Sequence, residues 1–236
     1  MDLKQIIDEY VPTNETAELV RESQITLLVG ISGAGKDTIK QRLLDNTDYH
    51  NIISHTTRSP RVNNGIGEVD GDDYHFIDDE QAREMLTEHA FIEAKYVHGI
   101  VYGTSVKEVA CVHDEHKIAL TDIDVQGVDE YKQISQDVVA IFILPPSYDV
   151  WRERLMKRYE STEAFDAEWP KRRASAIDEL KQALLVPYYH FIINDDLGRS
   201  VRIADEIAHQ GDLFFQKDDE ARLAARELLS AIEAQN

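Results

Sequence analysis

One glycine-rich segment has the residue types and spacing that hold nucleotide phosphates. Gly30, Gly35 and Lys36 stand in the order G-x-x-x-x-G-K, directly after the apolar run Ile25–Val29 and before a helical pattern. Glycines let such a backbone curl until several N–H groups point at one phosphate, and the lysine adds a full positive charge. A chance glycine-rich turn explains this context less well. We therefore expect phosphate contacts from Gly30, Gly33, Ala34, Gly35, Lys36, Asp37 and Thr38.

The last position of this motif departs from the usual pattern. A Ser or Thr hydroxyl normally helps to hold Mg²⁺ there, whereas this chain has Asp37 followed by Thr38. Either the Asp37 carboxylate reaches the metal, directly or through water, or the Thr38 hydroxyl supplies the ligand. We expect Mg²⁺ as a cofactor. The Asp37 carboxylate would also repel the negatively charged phosphates close to it.

Apolar runs separated by helical patterns must position this loop. The segments 138–144 and 191–193 are apolar, Ile25–Val29 is a short β-type run with one threonine, and the run 118–120 leads into the carboxylates of Asp122 and Asp124. Strands that are apolar on both faces and alternate with helices indicate a parallel sheet covered on both sides. The predicted fold class is therefore α/β, with ligands beyond the carboxyl ends of the strands.

Composition and charge limit the classes of partner. The chain has 236 residues, 42% of them hydrophobic, which is enough to bury a core. Its 45 acidic and 25 basic residues give a net charge of −20, which should repel nucleic acid and anionic lipid. No apolar run approaches the roughly 20 residues of a membrane span, and the single cysteine, Cys111, excludes an internal disulfide. We expect a cytoplasmic protein that binds anions at local basic sites.

Changes in the pattern of apolar, polar and turn-forming residues predict how the chain is divided into parts. Residues 24–50 and 105–210 form the core, with a polar, glutamate-rich lid at about 155–172. Residues 51–104 have weaker alternation and several turn dipeptides, which indicate an inserted lobe of short antiparallel strands.

Both ends extend beyond this predicted core, as residues 1–23 and 211–236. Each contains an apolar helical face, made by Leu3, Ile6, Ile7 and Tyr10 at one end and by Ala225, Leu228, Leu229 and Ile232 at the other. Such faces predict helices that pack on the core, with a subunit contact as the alternative.

Further segments follow the loop in a specific order. They are SHTTRSPR at 54–61, GEVDGDDYHF at 67–76, FIE at 91–93, YGTS at 102–105, DIDVQG at 122–127, ILPPS at 143–147 and INDD at 193–196. In this order the set closely resembles guanylate kinase, from about residue 25 to residue 207. The resemblance implies a P-loop NTPase-type three-layer fold with a central parallel sheet, an inserted nucleoside-monophosphate-binding lobe and a helical lid. It also implies ATP and GMP (and dGMP) as substrates.

The resemblance assigns the GMP phosphate to residues that suit an anion. Guanidinium groups hold phosphate oxygens bidentately, and hydroxyls can donate to them as well. Two arginines close together in so acidic a chain favour an anion site over a solvated basic turn. The residues implied are Ser54, Arg58, Arg61 and Tyr74, with Tyr102 assisting.

Guanine recognition is implied for a second group. A carboxylate accepts from N1–H and the 2-amino group together, and a hydroxyl donates to O6; Glu93 and Thr104 have these roles by resemblance. Asp122 and Asp124 stand two apart at a strand end, so both are expected to project to one side. The resemblance places them beside the GMP base and the phosphate–Mg²⁺ region, although one of them could instead cap the next helix.

Arginines of the lid carry the remaining positive charge. Arg154 and Arg158 have the i,i+4 spacing at which like charges disfavour a helix. Residues 171–173 are Lys-Arg-Arg after Pro170, near an expected helix start where positive charge opposes the helix dipole. By resemblance, Arg154, Arg158 and Arg172 act with Lys36 as catalytic residues, and Asn194 and Asp195 contact the ATP adenine.

Three other functions stay open at the level of sequence. A kinase of another small phosphorylated substrate, such as ribose 1,5-bisphosphate, can carry Gly-Lys-Asp in its phosphate loop, as Gly35-Lys36-Asp37 does here. A different purine monophosphate could be preferred, or the chain could be a non-catalytic binding module of the same fold. Residues 62–67 also make a longer connection between Arg61 and Glu68 than the family usually has.

Overall fold

The computed structural model describes residues 2–63, 66–210 and 218–235. The helices are α1 Leu3–Asp8, α2 Asn14–Glu22, α3 Lys36–Leu44, α4 Asp79–Thr87, α5 Val106–Asp114, α6 Val125–Ile134, α7 Tyr148–Met156, α8 Thr162–Leu185, α9 Leu197–Gln210 and α10 Asp218–Glu233. The strands are β1 Ile25–Val29, β2 Tyr49–Asn51, β3 His55–Thr56, β4 Val62–Asn63, β5 Ile66–Gly67, β6 His75–Phe76, β7 Phe91–Val97, β8 Ile100–Ser105, β9 Ile118–Asp122, β10 Val139–Leu144 and β11 Tyr189–Ile193.

The chain divides into two compact units, each assembled from separate stretches of sequence. The first unit comprises Met1–Gln24, Asp48–Thr121 and Glu130–Gln136. The second unit comprises Ile25–Thr47, Asp122–Asp129 and Asp137–Asn236. The domain boundaries expected from the sequence stay a prediction.

Parallel strands form the centre of the second unit. Here β10 lies between β1 and β11 and pairs with each in parallel, with Leu28 opposite Ile141 and Phe142 opposite Phe191. Every residue of β1 and of β10 is buried. The apolar runs thus become strands as predicted, because a strand covered on both faces has no polar side to show.

Helices cover these strands. α9 packs on α3, β10 and β11, while α10 packs on α7, α8 and β11. The face of α10 predicted to be apolar is buried at Ala225, Leu228 and Ile232. Among the described helices, none is long and apolar enough to cross a membrane.

The first unit contains the lobe of short strands. β2 pairs in parallel with β9, and a separate sheet has the order β6-β3-β8-β7. The predicted antiparallel pairing is found for β7 with β8 and for β3 with β8, whereas β3 and β6 are parallel. His98 and Gly99 join β7 to β8 with φ of +52° and +86°, and two positive φ values in a two-residue loop are typical of a type I′ turn.

The amino-terminal helix packs on this sheet through its predicted apolar face. Leu3 is buried in a cluster with Ala82, Leu86, Phe91, Ala94 and Val101, and Ile6, Ile7 and Tyr10 pack against the same cluster. α1 contacts both α4 and β7. The amphipathic start of the chain is therefore part of the core of the first unit.

The expected helix start after Pro170 is wrong. α8 begins at Thr162, where the Ser161 hydroxyl accepts from the Ala164 N–H at 3.2 Å, and Pro170 lies inside the helix. An internal proline costs about 3 kcal/mol, but the turns before it are packed: Phe165 is fully buried, and the Trp169 ring lies 5.4 Å from it and 5.3 Å from Trp151. Residues 171–173 are therefore interior to α8, away from its dipole end.

The expected repulsion between Arg154 and Arg158 along one helix is also wrong. α7 ends at Met156 with Lys157 as its C-cap, so Arg158 lies beyond the helix. Arg154 is in the last turn of α7, where a positive charge interacts favourably with the helix dipole.

Arg222 on α10 gives the first testable prediction. Its guanidinium donates to the carbonyls of Val186 (3.2 Å), Pro187 (2.8 Å) and Tyr189 (2.8 Å), and lies 4.9 Å from the centre of the Phe191 ring. We expect Arg222→Met to remove about 2 kcal/mol of stability and to lower Tm by roughly 5 °C.

Thermal denaturation of Arg222→Met beside Arg226→Met measures this effect. Arg226 is exposed on the same helix, so its change should leave stability within about 0.5 kcal/mol of the parent. Equal Tm values for the two variants would contradict the role assigned to Arg222.

Candidate functional site

The phosphate-binding loop of the second unit is shaped by glycines in left-handed conformations. Gly30, Gly33 and Gly35 have φ of +139°, +87° and +100°. A Cβ at Gly30 would lie 2.3 Å from the Ile143 carbonyl oxygen, and one at Gly35 would lie 2.3 Å from Asn194 Nδ2. Both positions therefore exclude a side chain, which explains why the motif has glycine there.

Lys36 brings its charge back over this loop. It is the first residue of α3, follows the N-cap residue Gly35, and donates from Nζ to the Gly30 carbonyl at 2.6 Å. The first N–H groups of a helix lack acceptors within the helix, so the ammonium group and these donors are offered from one place. This is the arrangement that a phosphate group requires.

Two side chains from α7 and one after β11 hold the loop backbone. Trp151 Nε1 donates to the Ser32 carbonyl at 2.8 Å, and Arg154 donates to the carbonyls of Ala34 (3.2 Å) and Asn194 (3.1 Å). The buried Asn194 side chain also donates to the Ala34 carbonyl at 2.8 Å. Arg154 and Asn194 thus both support the conformation of the loop, while their expected roles in catalysis and adenine binding stay predictions.

Asp195 differs from its neighbour Asn194. Its carboxylate is paired with Arg199, and it also accepts the Asp196 N–H at 2.7 Å. Burial raises the pKa of this carboxyl, but the Arg199 guanidinium outweighs that effect and the net pKa is lowered. The predicted contact of Asn194 and Asp195 with adenine stays a prediction.

Arg158 and Asp37 meet at the open side of the loop. Arg158 lies 3.5 Å from Asp37 Oδ2 and 3.4 Å from the Ser32 hydroxyl. Asp37 and Thr38 are both exposed in the first turn of α3. Carboxylate and hydroxyl oxygens are ligands that suit Mg²⁺, so the donor set fits the expected metal.

The two carboxylates after β9 have different partners. Asp122, the last residue of the strand, pairs with Lys40 Nζ at 2.7 Å. Burial raises its pKa, but the charges of Lys40 and Lys36 leave the net pKa lowered. Asp124 lies beyond the strand and accepts the Gly127 N–H at 2.7 Å, so it caps α6. The strand alternation on which the expected common direction rests therefore ends before Asp124, and the alternative that one of the two carboxylates caps the next helix is found for Asp124.

Glu179 on α8 is a half-buried carboxylate that the sequence does not single out. Burial raises the pKa of its carboxyl, against the hydrogen bond from Ser175, and the charges of Lys36 and Arg172 act on it. Arg172 itself donates from Nε to the Tyr159 hydroxyl at 3.1 Å. The sequence does not predict these neighbours, because a glutamate in an amphipathic helix is ordinarily exposed to solvent.

The neighbouring Arg173 has a structural contact instead. Its guanidinium donates to the carbonyls of Ile232 and Glu233, both at 2.9 Å, at the end of α10. The last carbonyls of a helix lack partners within the helix, so this side chain completes them. Of the two adjacent arginines, Arg172 is thus the one that bonds to Tyr159, while Arg173 bonds to the end of α10.

In the first unit, a buried arginine is held by a carboxylate and an aromatic ring. Arg58 forms a bidentate pair with Glu68, at 2.5 and 3.0 Å, and its guanidinium lies 5.0 Å from the Tyr74 ring centre. A hydrogen bond also joins it to the Tyr102 side chain. Hydrogen bonding to Glu68 raises the pKa of Arg58, and its buried Nε finds no acceptor in the described part of the chain.

The remaining residues of the expected phosphate grip lie close to Arg58 in sequence or in the sheet. Arg61 is exposed, and its backbone N–H donates to Glu68 at 2.7 Å. Ser54 precedes β3, and its carbonyl accepts the N–H of His75, the first residue of β6. Glu68 therefore contacts both arginines, through the Arg58 guanidinium and the Arg61 backbone N–H. The sequence alone did not indicate this role.

The two residues expected to recognise guanine, Glu93 and Thr104, are buried and hydrogen-bonded to each other. Glu93 on β7 is 7% exposed and Thr104 on β8 is fully buried. The two are opposite each other in the antiparallel register, and the Thr104 hydroxyl donates to Glu93 Oε1 at 2.8 Å. Tyr131, also buried and hydrogen-bonded to Thr104, was missed by the sequence analysis; burial raises its pKa.

The guanylate kinase family model matches residues 22–210. Guanylate kinases from Neisseria meningitidis and Clostridium perfringens are 36% and 37% identical, over 76% and 78% of this chain and 84% and 81% of their own lengths.

The chain belongs to the guanylate kinase family.

Two further relatives add to this result. Guanylate kinase 1 of Oryza sativa is 37% identical over 76% of this chain, which spans 46% of that longer protein. The crystal structure of guanylate kinase from Anaplasma phagocytophilum matches with a TM-score of 0.60 at 26% identity, covering 88% of this chain and 93% of that one. The α/β fold of P-loop NTPases, with a parallel sheet flanked by helices, is thereby confirmed.

The longer connection after Arg61 forms a small hairpin. β4 and β5 pair antiparallel, with Val62 opposite Gly67; residues 64–65 of the expected loop lie outside the described residues. Glu68 follows β5 directly and reaches Arg58. The extra residues therefore end at Gly67, immediately before Glu68, whose carboxylate forms the bidentate pair with Arg58.

The Arg58–Glu68 pair generates a prediction about pH. Hydrogen bonding to Arg58 lowers the pKa of Glu68. A carboxyl with a lowered pKa in the folded state contributes stability above its ordinary range near pH 4.5, and loses it as the pH falls through the lowered value. We expect Glu68→Gln to cost about 1–3 kcal/mol at pH 7, with the difference from the parent shrinking below the ordinary range.

Urea unfolding between pH 7 and pH 3 measures this difference, with Glu84→Gln as the control because Glu84 is exposed on α4. A difference that stays constant down to pH 3 would contradict a paired, ionised Glu68.

Proposed function

We propose that this chain transfers the γ-phosphoryl group of ATP to GMP, giving ADP and GDP. The observation that carries the proposal is the buried Glu93–Thr104 pair. In a chain of this family, a buried carboxylate with one hydroxyl beside it suits the paired donors of guanine.

ATP binding is assigned to the second unit. The loop glycines, Lys36 and the start of α3 hold the phosphates, and Asn194 and Asp195 contact the adenine. When bound, Mg²⁺ supplies positive charge to the phosphate oxygens; Asp37 or Thr38, in the exposed first turn of α3, would hold it.

GMP binding is assigned mainly to the first unit. Arg58, Arg61, Ser54 and Tyr74 hold the phosphate, with Tyr102 assisting, while Glu93 and Thr104 read the base. The single Thr104 hydroxyl proton is directed at Glu93, so it must turn to donate to O6 when guanine is present. Asp122 and Asp124 are the further residues assigned to GMP in this proposal.

The chemistry requires charge stabilisation more than proton transfer. An oxygen of the GMP phosphate is already ionised near neutral pH and attacks the γ-phosphorus in line, so a general base is not needed. Lys36, Arg154, Arg158 and Arg172 offset the negative charge that spreads over the transferred group. Closure of the lid arginines excludes water that would otherwise hydrolyse ATP.

The other candidate functions fit the site less well. A ribose-bisphosphate kinase would have no use for the buried Glu93–Thr104 pair. A non-catalytic module would have no use for Lys36 folded over the loop with Arg158 beside it. We place the activity in the cytoplasm and in purine nucleotide metabolism, with dGMP as a second substrate.

A coupled assay of ADP release tests the proposal. The acceptors are GMP, dGMP, IMP, AMP, UMP, CMP and ribose 1,5-bisphosphate, each with ATP and Mg²⁺. We expect GMP to be preferred and Lys36→Ala to lower kcat by about 10²-fold or more. Lys181→Ala, which removes the same charge from an exposed pair with Glu233, should leave kcat unchanged. Preference for the ribose bisphosphate would refute the proposal.

Base recognition has its own test. Glu93→Gln keeps the shape of the side chain but replaces one acceptor by a donor, so guanine would face a repelling amide. We expect the ratio of kcat/KM for GMP over AMP to fall at least about 100-fold, with the KM for ATP unchanged. An unaltered ratio would remove Glu93 from guanine recognition.

A further inference from the structure

Residues that precede the family match reach the strand that carries Glu93. The match begins at residue 22, whereas Tyr10 follows α1 and lies against β7. Its hydroxyl donates to the Phe91 carbonyl at 2.5 Å and accepts the Phe91 N–H at 3.0 Å. One hydroxyl thus satisfies both backbone groups of a single residue.

Those two groups belong to the outer edge of a sheet. β7 is the last strand in the order β6-β3-β8-β7, and an edge strand presents N–H and C=O groups that no neighbouring strand pairs. A side chain that donates and accepts at once closes this edge at Phe91. Phenylalanine in place of Tyr10 could do neither.

The contact is at a break in the strand register. Phe91 is opposite Ser105 while Glu93 is opposite Thr104, so Ile92 is an extra residue between them. A β-bulge of this kind redirects the side chains that follow it. The direction of the Glu93 carboxylate therefore depends on how the bulge is held, and Tyr10 holds its first residue.

The surroundings fix Tyr10 in place and put it near Glu93. Its ring stacks on His89 with centres 5.6 Å apart and packs against the cluster of Leu3 and Phe91. Burial raises the pKa of the Tyr10 hydroxyl, and the negative charge of Glu93 raises it further. Tyr10 and Glu93 also line one cavity of about 400 Å³.

We propose that Tyr10 is a positioning residue for guanine recognition, whose hydroxyl fixes the bulge at Phe91 and thereby the carboxylate of Glu93. The inference rests on the proposed function and assigns part of the base selectivity to a segment outside the family match. A loosened bulge weakens the bond from Glu93 to the 2-amino group of guanine. IMP lacks that group, so the loss falls on GMP more than on IMP.

The experiment compares Tyr10→Phe with Tyr96→Phe. Tyr96 is on the same strand and packs against the same cluster, so both variants lose one hydroxyl from one neighbourhood. Measured are kcat/KM for GMP and for IMP, the KM for ATP, Tm, and amide hydrogen exchange at residues 91–93.

For Tyr10→Phe we expect the GMP-over-IMP ratio to fall about tenfold, as for one weakened hydrogen bond to a charged group, with faster exchange at residues 91–93 and the KM for ATP unchanged. Tyr96→Phe should keep the ratio within about twofold of the parent.

An equal loss of kcat/KM for both nucleotides, with the ratio kept, would show a merely structural role and overturn the inference alone. A parent enzyme that does not distinguish GMP from IMP would overturn the assignment of guanine recognition and this inference together.

Discussion

Backbone crowding at the phosphate-binding loop is the constraint on which the second unit depends. Gly30 is pressed against the Ile143 carbonyl, and Gly35 against the Asn194 side chain. Neither position has space for a Cβ, because Ile143 near the end of β10 and Asn194 directly after β11 occupy that space. The cations then bond to loop oxygens, as Lys36 does to Gly30 and Arg154 to Ala34. A chain with a net charge of −20 thereby concentrates its positive charge where an anion is needed.

In the first unit, positive charge is held by a buried ion pair. Arg58 is buried and would be costly there without a carboxylate, which Glu68 supplies in a bidentate pair. The pair also orients the guanidinium over the Tyr74 ring. Glu93 has a different kind of partner, because its buried carboxylate accepts a hydrogen bond from the uncharged Thr104 hydroxyl.

Much of this arrangement could be predicted from the sequence, and the exceptions have physical causes. β10 is a continuous apolar run, and β1 is an apolar run with one threonine directly before the glycine motif, so hydrophobicity identifies both. Pro170 predicts a helix boundary, so the sequence does not reveal the start of α8. The packing of Phe165 and Trp169 stabilises the turns before Pro170, and the helix continues past it. The contacts of Glu68 and Tyr10 were also missed, because each depends on residues that come together only in the folded chain.

The contact of Arg173 with the end of α10 has a practical consequence. Its guanidinium is engaged by the carbonyls of Ile232 and Glu233, so a chain shortened ahead of those residues would set a cation free on α8, directly beside Arg172. Expression designs that trim the carboxyl end would thus alter the electrostatics of the lid as well as remove a helix, whereas a purification tag added after Asn236 leaves these carbonyls in the chain.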